Sequence, residues 1–195
     1  MKRSSVLSWD QYFMSMAHLA AFRSKDPNTQ VGACIVNRQK RVVGLGYNGF
    51  PKGCSDDTYS WDRTGDFLET KYPYVVHAEL NAILNSIQNL EGCTLYVSLF
   101  PCNECAKAII QSGITRVVYE SDKYGGSNEN LASKHMFDDA GVEYIQMPEH
   151  IHIRLEVEDM IEPYTITEFR ASDTSDSEPC QSCSAGQKED EGNKY

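Results

Sequence analysis

His77, Glu79, Cys102 and Cys105 are the residues whose types and spacing could do chemistry. His77 and Glu79 stand two apart, and Cys102, directly after Pro101, precedes Cys105 by three. One imidazole and two thiolates are ligands of the kind zinc takes. A catalytic zinc keeps its fourth tetrahedral position for water, whereas a structural zinc closes all four, and the sequence offers no clear fourth donor nearby. Glu79 is the extra piece. A structural site has no use for an acid beside its histidine, but a hydrolytic site does. Zinc lowers the pKa of its water toward ~7, and a carboxylate alongside can take that proton and hand it on. Two thiolates and a divalent ion sum to no net charge, so the centre is less electrophilic than a three-histidine one and leans harder on its acid/base group. The pattern reads as a catalytic metal centre of His77, Cys102 and Cys105, with Glu79 as acid/base.

The elements around these residues must bring them together. Ala78, Ala82, Ile83 and Ile87 give a helical apolar pattern behind His77. Pro101 is expected to open a second helix that carries Cys102 and Cys105, with Ala106, Ile109 and Ile110 behind it. Both motifs would then aim helix N-termini at the metal, where the positive dipole end favours thiolate. Upstream, Ser8 and Gln11 match a capping box, and a first helix is predicted over about 9–23. His18 within it reads as a core or surface histidine rather than a ligand. Residues 31–36 and 41–47 read as a strand hairpin turning at 37–40. Gly44, Gly46 and Gly49 fit G-x-G-x-x-G, but Pro51, Gly53 and polar residues follow where a dinucleotide fingerprint needs a helix. From about 50 to 73 no periodicity is visible, and a loop of that length leading into His77 is placed to form a lid or an effector site.

Further strands are predicted at 94–98, 115–119 and 142–147, with a helix over about 128–140 stopped by Gly141. Helices alternating with strands after His77 argue for parallel pairing, and the first hairpin makes the sheet mixed. The expected fold is α/β: a three-layer α/β/α sandwich around a central mixed five-stranded sheet. The expected organisation is an N-terminal extension at 1–8 and a domain at 9–170 with a C-terminal extension from about 148. The alternation at 151–158 suggests an edge strand or interface segment. From Ala171 the chain turns to Ser, Gly and acids, and 171–195 is expected to be a disordered acidic tail. Cys180 and Cys183 in that tail read as free thiols.

The 195 residues carry a formal charge of -10, which disfavours a nucleic-acid partner. No run is apolar enough to span a bilayer, and no apolar signal core follows Lys2 and Arg3, so a cytoplasmic location is expected. Cys34 and Cys93 read as small buried hydrophobes, and Cys54 lies in a loop.

The joint His-x-Glu and Pro-Cys-x-x-Cys pattern is the signature of zinc base deaminases. Around it, the chain resembles the deoxycytidylate (dCMP) deaminases over about 9–147. The likeness rests on the stretch from Arg23 through Asn28 to Ala33, on Gly46 through Asn48 to Cys54, on Lys71 to Glu79, on Leu99 to Cys105, and on Ser121-Asp122-Lys123-Tyr124. The resemblance implies a cytidine-deaminase-like fold, one zinc ion per subunit and hydrolysis of dCMP to dUMP and ammonia. It implies a homohexamer activated by dCTP, inhibited by dTTP, with magnesium accompanying the triphosphate. It also implies substrate contacts at Asn48, Ala78 and Tyr124, and an effector site bordered by Asn48, Gly49, Pro51 and Gly53. The substrate phosphate is expected at Lys25, Arg23 or the backbone amides near Asn28. The rival readings are a deaminase of free cytidine or deoxycytidine, and a zinc-stabilised interaction module without catalysis.

Overall fold

A computed structural model describes residues 3–155 of the chain. Ser8 caps the first helix, α1 (Trp9–Ala21), as its sequence requires: Ser8 Oγ accepts from the Gln11 N–H, and Gln11 Oε1 accepts from the Ser8 N–H. Phe13, Met14, Ala17, His18 and Ala21 make its buried face. Strands β1 (Gly32–Val36) and β2 (Val42–Tyr47) form the antiparallel hairpin. Asn37 Oδ1 closes its turn by accepting from the Gln39 and Arg41 N–H groups, and Lys40 takes the left-handed conformation at φ 61.

Helix α2 (Ala78–Leu84) leads to β3 (Thr94–Leu99), α3 (Asn103–Gln111), β4 (Arg116–Ser121), α4 (Asn128–Ala140) and β5 (Glu143–Gln146). The sheet order is β2-β1-β3-β4-β5. β1 runs antiparallel to β2 and β3, while β3, β4 and β5 are parallel. On one sheet face, Phe13, Met14 and Ala17 of α1 pack with Cys34, Val36, Tyr96 and Val118. On the other, Ala78 and Ala82 of α2, Ala106 and Ile109 of α3, and Phe137 of α4 pack with Ile35, Leu95, Val97 and Val117. These are the three layers and the mixed five-stranded sheet expected. No helix among the described residues is long and apolar enough to cross a membrane.

The glycines of β2 have a packing reason. A Cβ on Gly46 would overlap Ala78 O and Ala82 N, and one on Gly44 would press on Ala82 O. Their bare backbone lets the start of α2, and so His77 and Glu79, sit directly on the sheet. Asn81 and Asn85 tie the same helix down by donating from Nδ2 to Tyr47 O and Leu45 O.

Three expectations are corrected. α1 ends at Ala21, with the Arg23 and Ser24 N–H groups closing a turn onto Ala20 and Ala21. α2 ends at Leu84, because Ser86 caps a turn onto Gln88; Ile87, counted as part of the apolar face, is 98% exposed. Residues 151–155 form no strand: the Ile151 N–H donates to Glu120 Oε1, a side chain, rather than to a sheet edge. Residues 156–158, the domain boundary at 170, the tail at 171–195 and its Cys180 and Cys183 lie outside the described residues.

Candidate active site

The parallel strands β3 and β4 end beside the starts of α2 and α3, the place where an α/β sheet leaves backbone N–H groups and open space. His77 is the N-cap of α2 and Cys102 the N-cap of α3, both with extended backbone. Pro101 therefore lies one residue before the cap and not in the first turn; the Cys102 carbonyl accepts the Ala106 N–H. Cys105, one turn into α3, is buried.

His77 Nδ1 lies 3.4 Å from Cys102 Sγ and 3.4 Å from Cys105 Sγ. Zinc bonded tetrahedrally to nitrogen at ~2.05 Å and sulfur at ~2.3 Å separates the two donors by about 3.5 Å. The observed spacing fits such an ion. These three residues are the one group among the described residues with donor atoms all within 4.8 Å of one another, and Cys54 belongs to no such group. Three protein donors leave a tetrahedral ion one position for solvent or substrate.

Glu79 is 4% exposed. Burial, together with the neighbouring Cys102, pushes its carboxyl up to about 7 against the opposing pull of His77. Its hydrogen bond with Cys102, burial and Glu79 raise the Cys105 thiol well above its ordinary range. Two thiols and a carboxyl packed this tightly call for positive charge among them, which a divalent ion supplies. Cys34, by contrast, is a buried hydrophobe whose thiol burial pushes up to about 12, and Cys93 is buried likewise.

Glu79, His77 and Cys102 line a pocket whose other walls include Asn48, Ala78 and Tyr124. Asn48 is 6% exposed, and its amide is engaged: Oδ1 accepts from the Val31 N–H, while Nδ2 donates to Thr29 O and Asp26 Oδ2. Lys25 and Asn28 do not line this pocket. Lys25 Nζ pairs with Asp56 at 2.5 Å on the surface, and Asn28 Nδ2 reaches Trp61 O at 3.5 Å. Arg23 is exposed. Gly49 pairs with Val76 through two backbone hydrogen bonds, and Pro51 and Gly53 are exposed; none of the three lines the pocket.

Sequence reasoning missed Asp26, Arg63 and Lys71, which do line it. Lys71 and Asp26 form a buried ion pair at 2.5 Å between residues 45 apart in the chain, and no spacing rule announces such a pair.

Comparison with known proteins adds a family-level match. Residues 7–121 match the family model described as the cytidine and deoxycytidylate deaminase zinc-binding region. The chain is 59% identical over 145 residues to a deoxycytidylate deaminase of Pongo abelii, covering 73% of this chain and 82% of that protein. It is 57% identical over 150 residues to a probable deoxycytidylate deaminase of Drosophila melanogaster, covering 73% of this chain and 74% of the other. Among solved structures, the dCMP deaminase of cyanophage S-TIM5 in complex with dCMP and dUMP superimposes with a TM-score of 0.56 at 26% identity, over 70% of this chain and 95% of that one.

Proposed function

Because the chain belongs to the cytidine and deoxycytidylate deaminase family, whose zinc-binding region spans residues 7–121, we propose that it hydrolyses dCMP to dUMP and ammonia. The observation that carries this is the convergence of His77, Cys102 and Cys105 at 3.4 Å beside a buried carboxyl, Glu79. The identity to deoxycytidylate deaminases supports the choice of substrate.

His77 Nδ1, Cys102 Sγ and Cys105 Sγ would hold the zinc, which when bound supplies an acidified water and a positive pole. Glu79 does the proton work. Its carboxylate accepts a proton from the water whose oxygen bonds to C4 of the cytosine ring. It delivers that proton to N3, then carries the second water proton to the amino nitrogen as the C4–N bond breaks. One water enters, one ammonia leaves, and Glu79 ends in its starting state. A buried carboxyl beside the three donors, its pKa raised by burial, is suited both to accept and to give a proton. Ala78 and Tyr124 line the same pocket, where a bound nucleotide would meet them. Asn48 orders the wall through Asp26, Thr29 and Val31.

The same proposal extends to regulation: a cytoplasmic homohexamer, activated by dCTP with magnesium and inhibited by dTTP. The resemblance over 48–53 supports this: Gly49, Pro51 and Gly53 lie outside the substrate pocket, as a separate effector site requires, while Asn48, also expected to border that site, lines the substrate pocket.

The test is ammonia release by the zinc-loaded chain from dCMP, CMP, cytidine and deoxycytidine, with and without dCTP or dTTP. Preferred turnover of dCMP, raised by dCTP and lowered by dTTP, is the expected result. Preference for the free nucleosides contradicts the substrate assignment, and zinc binding without ammonia from any of the four contradicts the enzyme.

A further inference from the structure

Besides its histidine, the pocket is lined by two cationic side chains, Arg63 and Lys71. Both come from the aperiodic segment before α2. The Lys71 N–H donates to Asp62 O at 3.0 Å, so the two halves of that segment run side by side. Tyr72 stands between the cations: Arg63 Nε reaches its hydroxyl at 3.4 Å, and Lys71 Nζ lies 6.0 Å from its ring centre.

Asp26, the lining carboxylate that meets Lys71, is already committed. Asp26, 2% exposed, accepts from the Asn28 and Thr29 N–H groups, from Asn48 Nδ2 and from Lys71 Nζ. One donor of the Lys71 ammonium serves Asp26, and an ammonium has three. The Asp26–Lys71 pair is neutral as a unit, and Arg63 adds a positive charge to the same wall. The remaining acid of the lining, Glu79, belongs to the metal end of the pocket.

We propose that Arg63 and Lys71 together read the 5′-phosphate of the substrate, with Asp26 as the positioning residue that holds Lys71. The inference rests on reading the site as that of a dCMP deaminase. It assigns selection of nucleotide over nucleoside to the segment before α2, and not to Lys25, which is engaged with Asp56 outside the pocket. A guanidinium fork matches two oxygens of a phosphate, and the ammonium adds a point charge.

The experiment measures kcat/KM for dCMP and deoxycytidine on the full zinc-loaded chain and on Arg63→Ala, Arg63→Lys, Lys71→Met, Lys25→Ala and Arg38→Ala. In parallel, calorimetry gives the affinity of each for dUMP and deoxyuridine. Arg63→Ala is expected to cut the dCMP-to-deoxycytidine ratio by about 10–100-fold, mostly through KM, the span of a lost charge-assisted hydrogen bond. Arg63→Lys recovers part of it, and Arg38→Ala, on the exposed β1–β2 turn, leaves the ratio alone. Lys71→Met leaves Asp26 without its cation and can unfold the chain, so the Arg63 pair decides the matter if it does. An unchanged ratio in Arg63→Ala, or a collapse in Lys25→Ala instead, overturns the assignment. A wild-type chain that releases no ammonia contradicts the deaminase reading. The calorimetric arm still tests the subsite: loss confined to dUMP supports it, and equal loss for both ligands overturns it.

Discussion

His77 Nδ1 and Cys102 Sγ, from the caps of two different helices, approach to 3.4 Å. Cys105 Sγ stands equally far from the same nitrogen. Because all three donors face one point, removing one leaves too few for tight zinc. Cys102→Ser is expected to lose zinc stoichiometry in elemental analysis and to lower the melting temperature of the zinc-treated protein. Chelation of the wild type should do the same reversibly.

Glu79→Gln keeps size and hydrogen bonding while removing the group that moves protons. The expected outcome is a full complement of zinc with kcat reduced by about 10²–10⁴-fold. Turnover within a few fold of wild type would remove Glu79 from the reaction.

Gly46→Ala places a methyl group where the Ala78 carbonyl stands. Since backbone cannot yield as a flexible side chain can, the substitution is expected to destabilise by about 1–3 kcal/mol and to tilt His77 away from the cysteines. Thermal melts and zinc affinity should fall together. A melt unchanged from wild type would show that the seat of α2 is looser than described.

Glu120 anchors the other sheet face. Burial alone would raise its carboxyl, but His18 Nε2 at 2.5 Å, the Ile151 N–H and His150 outweigh that and hold it below its ordinary value. A folded pKa below the unfolded one gives stability that is present above the unfolded carboxylate value of ~4.3 and is lost as pH falls through the folded value. Urea midpoints measured from neutral pH down through the carboxylate range should therefore drop in the wild type. They should drop less steeply in Glu120→Gln, which starts lower at neutral pH. Parallel slopes in the two proteins would contradict the linkage.

How much of this was legible in the sequence depended on how local the cause is. The capping box at Ser8 and Gln11, the β1–β2 hairpin and the stop at Gly141 come from neighbours in the chain, so pattern alone locates them. The metal triad is legible although it spans 25 and 28 residues, because the ligand types themselves constrain what they can do together. Ile87 misled because apolar spacing continued past the point where Ser86 turns the chain. Lys71 and Asp26 were invisible because a buried ion pair depends on tertiary approach and leaves no period. The glycines of β2 fit part of a dinucleotide fingerprint that the residues after them rule out; their actual role, room for α2, appears only when the helix lies across them.

X-ray absorption at the zinc edge of the fully loaded protein measures the coordination shell itself. The predicted shell is two sulfurs at about 2.3 Å, one imidazole nitrogen at about 2.0–2.1 Å and one further light atom that exchanges when a nucleotide ligand is added. A closed shell of four protein ligands, or any sulfur count other than two, would contradict the open catalytic site built from His77, Cys102 and Cys105.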